Sequence, residues 1–506
     1  MQESKSDKVR NKYEEIMEWA SRRSIFYPSS EIYNGPAGFW NFGPYGEAIR
    51  RKIIELWRKE FVQKEDMLEI YGSQIMPNDV FKASTHLINF KDPVLECKKC
   101  RSKFKADELI GKRIGKNVSG LEEHELDKII KNNNILCPKC NSYFNSVKFF
   151  NMMIKVNVGV SDKDCSLRPE ACQSIFLDFI RMHKTMRVIL PKGIAQVGRA
   201  FRNEISPRNS LIREVEFSQF EAEIFFNPKK INEVENFDEI GNYKLNIFRK
   251  NKIEKIEAKN LVKNNIVSGK LIAYYLSKIQ QLYEKYGIPL EKMRFREVSK
   301  DERPFYSKET WDFEILTSLG WIEVIANNYR GDFDLKGHME GSKKDLAVTE
   351  NNEKFIPHIY EISGGVDRTF YVIIENAFKK EIVEKEERIF LDLIPQLSPY
   401  DTAIFPLVDK DKLPEKSKEI VKILKKSDFN VFYDPKDSVG RRYRRLDECG
   451  VKYIITVDYE SLKKNDVTIR ERNSMKQIRV KIKDLNNVLK EFLNGKDLNK
   501  LGKIIN

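Results

Sequence analysis

The sequence predicts an α+β protein: an antiparallel sheet flanked by helices, a cysteine-knuckle insertion and a C-terminal α/β domain. Three observations predict it. Runs alternating with period 2, above all AFRNEISPRNSLIREVEFSQFEAEIFF (200–226), read as strands joined in a hairpin. Beyond residue 399, strand and helix patterns alternate, as in a largely parallel sheet. A Lys- and Asn-rich stretch before the hairpin carries CKKC (97–100) and CPKC (137–140). The chain has 506 residues, room for about three domains, and 41% of them are hydrophobic, enough for substantial cores.

Residues 8–26 predict a helix with Ile16, Trp19 and Ala20 on its apolar side. YPSSEIYNGPAGFWNFGPYG (27–46), rich in Gly, Pro and aromatics, predicts a tightly turned loop. Ile49, Ile53, Leu56, Trp57 and Phe61 fall at helical spacing over 46–64, and a strand-like run from Leu68 to Ile75 stops at Pro77. Residues 1–94 thus read as the first part of a core domain, interrupted by an insertion at 95–150 and resumed over 151–226. A second insertion, 227–292, has two helices expected near 271–286. The core returns over 293–394 and closes with a helix after Gly365. Residues 395–506 form the last domain, with strands at 403–408, 430–434, 453–457 and 479–482, helices at 414–427 and 438–449, and a final helix.

Net charge is +14, and residues 395–506 hold 25 Lys+Arg against 17 Asp+Glu. More than half the excess therefore lies in the last domain, which points to a polyanionic partner there. No run of 18 apolar residues occurs and the first residues lack an apolar stretch, so neither a membrane span nor a secretory signal is expected. Seven cysteines, an odd number, point to a reducing compartment and a cytoplasmic location. The absence of a GxxxxGK[ST] loop disfavours P-loop chemistry.

Three constellations carry chemistry. Cys97, Cys100, Cys137 and Cys140 supply four thiolates for one tetrahedral Zn²⁺, a structural ion because no coordination position is left open. In the hairpin, Arg202 and Glu204 are expected on one face of a strand, with Phe217 and Glu221 on the returning strand and Arg213 between them. Arginine forks onto phosphate, phenylalanine stacks on a base and glutamate accepts from an exocyclic amine, so the set suits a nucleotide. In PHIYEISGGVDRTF (357–370) a strand brings Glu361 and Ser363 to one face, two glycines allow close backbone approach, and Arg368 enters the first turn of an apolar helix.

Spaced as FRxE…RxxxFxxxE, the hairpin resembles motif 2 of the class II aminoacyl-tRNA synthetases, and FRNEISPR after LPKGIAQVGR resembles its glycyl version. The helix–strand–Pro run ending at Pro77 resembles the dimer-forming motif 1, and 357–370 resembles motif 3. LRPEACQ (167–173) is similar to the family's LRPETAQ, and the tail, with VGRRYRRLDECGVKYIITVDYES and TIRERNSMKQIRV, to its anticodon-binding domain. The resemblance implies ATP-dependent attachment of glycine to tRNA(Gly) through a glycyl-adenylate, with ATP and Mg²⁺, in a homodimer. It assigns catalysis to Arg202, Arg213 and Arg368. For ATP it implies these three with Asn203, Glu204, Leu211, Ile212, Glu216 and Phe217, and also Glu323, Val324 and Gly365. Glu323 is there a Mg²⁺ ligand. For glycine it implies Glu170, Phe217, Gln219, Glu221, Glu361, Ser363 and Gly365, with Arg330 approaching the substrate. For tRNA it implies Arg441, Arg442, Arg470 and Arg472. A zinc-bearing insertion after motif 1 also occurs in glycyl members.

The chain departs from the family pattern at Ala171 and Ser174 (family Thr and Gly), at Glu214-Val215 where the loop loses an Arg, at Ile362 in place of Pro, and at Thr85 in place of Gly. Two other readings stand beside the first: a class II enzyme for another small amino acid, and a non-catalytic paralogue that binds nucleic acid. The retained arginines weigh against the paralogue.

Overall fold

The computed structural model describes residues 5–505 apart from 119, 161, 162 and 305. Its centre is a nine-stranded sheet. From one edge the strands run Lys252–Glu257, Lys244–Arg249, Met293–Glu297, Glu309–Thr317, Gly320–Gly331, His358–Gly365, Glu216–Phe226, Lys192–Phe201 and Leu68–Glu69. All pairings are antiparallel except two: Lys244–Arg249 with Met293–Glu297, and Leu68–Glu69 with Lys192–Phe201. Helices Pro44–Trp57, Lys270–Lys285 and Val366–Ala377 cover one face and form the main core with it, Trp57 stacking on Phe220 at 5.2 Å between ring centroids.

Several expected elements take a different form. The first helix spans Lys5–Arg22, and the loop after it pairs Phe26–Pro28 with Trp40–Phe42. The second helix ends as a π-helical turn over Arg58–Gln63. The Leu68–Ile75 run splits into Leu68–Glu69 and Ile75–Pro77, which join different sheets. Gly72 lies between them, where a Cβ would come within 1.9 Å of Ser174 Oγ, and its N–H is drawn aside to Gln196 Oε1 at 3.0 Å. The segment 227–292, expected as a second insertion, extends the central sheet with its hairpin Lys244–Arg249/Lys252–Glu257. Near 271–286, where two helices are expected, there is one of 16 residues, Lys270–Lys285. An unbroken apolar face from Leu271 to Tyr283 keeps that helix continuous.

The knuckle unit starts at Lys91, which pairs with Asn151. It has a three-stranded sheet, helices Ala106–Ile114 and Glu123–Asn132, and a small core of its own that includes Leu95, Ile110 and Leu126. The C-terminal sheet runs Val431–Tyr433, Thr402–Pro406, Tyr453–Val457, Asp466–Glu471, Gln477–Lys481. It is mixed, not largely parallel, because Asp466–Glu471 is a strand that turns straight back into Gln477–Lys481 and pairs antiparallel on both sides.

Asp447, fully buried, ties this domain to the hairpin before it, in which Phe378–Val383 pairs with Glu386–Leu391. Its carboxylate accepts from Arg388 at 2.7 and 3.1 Å and from Arg470 at 2.9 and 3.0 Å. A neutral amide there cannot balance two buried guanidinium groups. Asp447→Asn is therefore expected to destabilise the chain by about 2–3 kcal/mol, read from denaturant unfolding; a loss under about 0.5 kcal/mol, the range of an ordinary surface substitution, would show the cluster to be energetically neutral.

Candidate active site

On the strand Glu216–Phe226, the odd positions Phe217, Gln219, Glu221 and Glu223 share one face, while Phe220, Ala222 and Ile224 enter the main core. Register with His358–Gly365 sets Glu221 beside Ser363 and Glu223 beside Glu361. A slip of one residue would send the carboxylates into the apolar layer, so burial of the other face fixes them here. A cavity of about 200 Å³ opens over the polar side of the sheet.

Arg202, Arg213 and Arg368 all line this cavity. Arg202 and Glu204 lie just past the end of the strand Lys192–Phe201 and not within it, as had been expected from alternation: the N–H of Glu204 turns back to the carbonyl of Arg202 at 2.7 Å. Arg202 is held by Nε donating to the Pro169 carbonyl at 3.1 Å, and its guanidinium carbon is 5.3 Å from the Phe217 ring and 5.4 Å from that of Phe90. Arg213 donates to Glu204 at 2.7 Å and to Glu108, on a helix of the knuckle unit, at 2.8 Å; Arg208 pairs with the same Glu108 carboxylate. Arg368 donates to the carbonyls of Ile212 and Glu323 at 3.0 and 3.1 Å. Each guanidinium thus meets protein oxygens, the acceptor chemistry that a phosphate also offers.

Of the other residues that the resemblance assigns to ATP, Glu204, Leu211, Ile212, Phe217, Glu323, Val324 and Gly365 line the cavity. Asn203 and Glu216 do not: the Asn203 N–H bonds the Met152 carbonyl at 2.8 Å, and Glu216 faces Arg199 at 3.5 Å. Glu214 takes a place in the lining instead; burial, and then the nearby Asp367, push its carboxyl well above the usual range.

At the other end, Glu170 accepts from Gln173 at 3.1 Å and lies 3.2 Å from His86 Nε2. Burial would raise its carboxyl, but the His86 contact and Arg330 hold it well below the carboxylate range. Gln219 accepts from the Ala171 N–H at 3.1 Å and reaches Ser363 Oγ at 3.4 Å. Ser363 Oγ donates to Glu221 at 3.0 Å. Glu361 accepts from Arg330 at 2.7 Å and from Asn328 at 2.6 Å. Arg330 is buried, and its other donors are taken by Asp334 at 2.6 and 2.8 Å. It therefore orients Glu361 and does not itself approach the cavity. Asn328, a lone Asn in a strand, and His86, the first residue of the short helix His86–Asn89, carry no pattern that gives them a role from sequence.

The two knuckles have one geometry. Cys97 and Cys137 each donate their N–H to a serine carbonyl five residues on, at 3.0 Å, and each accepts from the left-handed residue after the second cysteine, Arg101 or Asn141. Sγ separations are 3.4 Å for Cys97 and Cys140 and 3.7 Å for Cys100 and Cys137. A tetrahedron of thiolates about 2.3 Å from a zinc ion has edges of about 3.8 Å, so the four residues fit the ion.

Of the four arginines expected at a nucleic acid, three are used inside the fold. Arg442 donates to the carbonyls of Pro406, Asp434 and Leu407, Arg470 to Asp447, and Arg472 to those of Gly450 and Leu393. All three are buried; Arg441 alone stays exposed. Basic residues on a short helix and strand looked like a charged face, but each meets acceptors brought in from distant elements.

Two family models match the chain: a tRNA synthetase class II core domain (G, H, P, S and T) over residues 155–377 and an anticodon binding domain over 401–492. The chain is similar to the Glycine--tRNA ligase of Pyrococcus horikoshii, 36% identical over 96% of this chain and 99% of the relative. Similar are those of Pyrococcus furiosus, 35% identical over 96% and 100%, and Methanothrix thermoacetophila, 33% identical over 96% and 98%.

Proposed function

The chain belongs to the glycine--tRNA ligases, within the class II aminoacyl-tRNA synthetases, and from that premise we propose that it joins glycine to tRNA(Gly) through a glycyl-adenylate formed in the 200 Å³ cavity. The observation that carries this reading is the convergence of Arg202, Arg213 and Arg368 with Glu170, Glu361 and Ser363 on that one cavity. A carboxylate is already an ionised nucleophile, so no side-chain base is required. Attack of the glycine carboxylate on the α-phosphorus of ATP forms the mixed anhydride and releases pyrophosphate. The protein's part is orientation and charge neutralisation. Arg202 holds the α-phosphate. Arg213 exchanges Glu108 for oxygens of the terminal phosphate, with Arg368 beside it, and Phe217 stacks on adenine while Glu204 accepts from its amine. Glu170, Glu221 and Glu361 receive the ammonium group, in a space that excludes larger side chains.

Mg²⁺, when bound, would offset phosphate charge, and Glu323 is the lining carboxylate suited to hold it. Zn²⁺ would sit between the knuckles. The C-terminal domain, with its positive balance, would take the anticodon arm, Arg441 being the exposed arginine of the four considered. A homodimer accords with the exposed apolar side chains of Tyr71 and Ile75 beside the split strand. Among the described residues no helix is long and apolar enough to cross a membrane.

The test is pyrophosphate exchange with each of the twenty amino acids. Glycine alone is expected to support it; faster exchange with serine or alanine would transfer the chain to a different specificity, and none at all would favour the non-catalytic reading.

A further inference from the structure

The cation balance under the glycine end of the cavity is uneven. Arg330 serves both Glu361 and Asp334, and Glu170 lies against His86. Arg168 directs its Nε and NH1 at the carbonyls of Arg199 and Gly72. His338 meets Gln173 at 3.0 Å, and the Cys172 thiol lies against Glu170 at 3.0 Å. The remaining Arg168 amino group is buried without a hydrogen-bond partner, yet among the described residues neither it nor any other cation forms an ion pair with Glu221 or Glu223, which are fully buried. Among the described residues, Glu221 Oε2 and both oxygens of Glu223 have no hydrogen-bond partner. An ionised carboxylate in that setting carries a heavy desolvation cost, so the two groups hold protons. Burial, and then the facing Glu361, push both well above the carboxylate range.

The two are not equivalent. Glu221 already accepts from Ser363 Oγ, a cavity-lining hydroxyl, whereas Glu223 lies one step deeper, against Glu361 and Cys172. We propose that glycine enters by exchange: its ammonium replaces a proton on Glu221, which leaves for solvent, while Glu223 beneath remains a neutral acid. The O–H bond of Glu221 breaks and an N–H of the ammonium donates to the carboxylate so formed; no other bond changes. This rests on the reading of the cavity as a glycine site and adds a proton linkage to it.

Calorimetric titration of glycine into the full-length protein, in two buffers of different ionisation enthalpy, counts the protons. About one proton per glycine is expected to leave near neutral pH, with glycine affinity rising about tenfold per pH unit over the same range. Glu223→Gln, which replaces a neutral acid by a neutral amide, is expected to keep that count. Glu221→Gln, titrated with enough glycine to saturate it, is expected to abolish it. Glycine binding by the wild type without proton release, or release lost in Glu223→Gln and retained in Glu221→Gln, overturns the inference and leaves the glycine site standing. Absence of any glycine heat, together with failure of glycine to support exchange, would remove the site itself.

Discussion

Arg202→Ala is expected to lower glycine-dependent pyrophosphate exchange by about 10³-fold, the scale seen when one preorganised donor to a developing charge is removed. The side chain is anchored on three sides, by Pro169, Phe90 and Phe217, so its position is set before any substrate arrives. Truncation forfeits one hydrogen bond to a charged donor and two cation–π contacts on a half-buried side chain, about 1–2 kcal/mol of stability. The fold should persist, with an unfolding transition close to that of the wild type. Arg202→Lys should not restore the rate, because an ammonium lacks the planar fork that meets two phosphate oxygens. Wild-type-like exchange in the alanine variant would take Arg202 out of the mechanism.

Cys137→Ser is expected to leave the chain without zinc and to loosen the knuckle unit. The small core there is a satellite of the main one, and structural zinc contributes about 10–16 kcal/mol of apparent binding energy in peptides that fold around it. Loss of the ion should open the unit locally while the central sheet keeps its own transition. The effect should travel to the cavity, because Glu108 of the knuckle unit grips both Arg208 and Arg213. Metal content by mass spectrometry is expected to fall from about one ion per chain to none, and proteolysis within 97–140 to quicken. Unchanged zinc content would refute the ligand assignment.

Much of this site was legible in the sequence because it depends on local geometry. Alternation alone places Phe217, Gln219, Glu221 and Glu223 on one face of a strand, and CxxC spacing alone makes a knuckle. The family resemblance pointed to Arg202 and Arg213 through the spacing FRxE…RxxxFxxxE and to Arg368 through 357–370, and the three line one cavity. Alternation misled where a strand stops. Nothing in FRNE marks Phe201 as its last residue, since the end is set by the turn of Glu204 back onto Arg202.

What the sequence by itself determined is which side-chain types stand together: arginines with a phenylalanine, a set that suits a nucleotide, carboxylates that suit an ammonium, and thiolates that suit a metal. Side-chain type and strand or knuckle periodicity decide these within a few residues. Only the tertiary structure decided which charges are available. Arg442, Arg470 and Arg472 look as exposed in sequence as Arg441, yet burial commits them to acceptors that include Pro406, Asp447 and Leu393. Arg213 meets Glu108 from 105 residues away. A charge is used or free according to the partner that folding brings within about 3 Å of it, and that partner is rarely a neighbour in the chain.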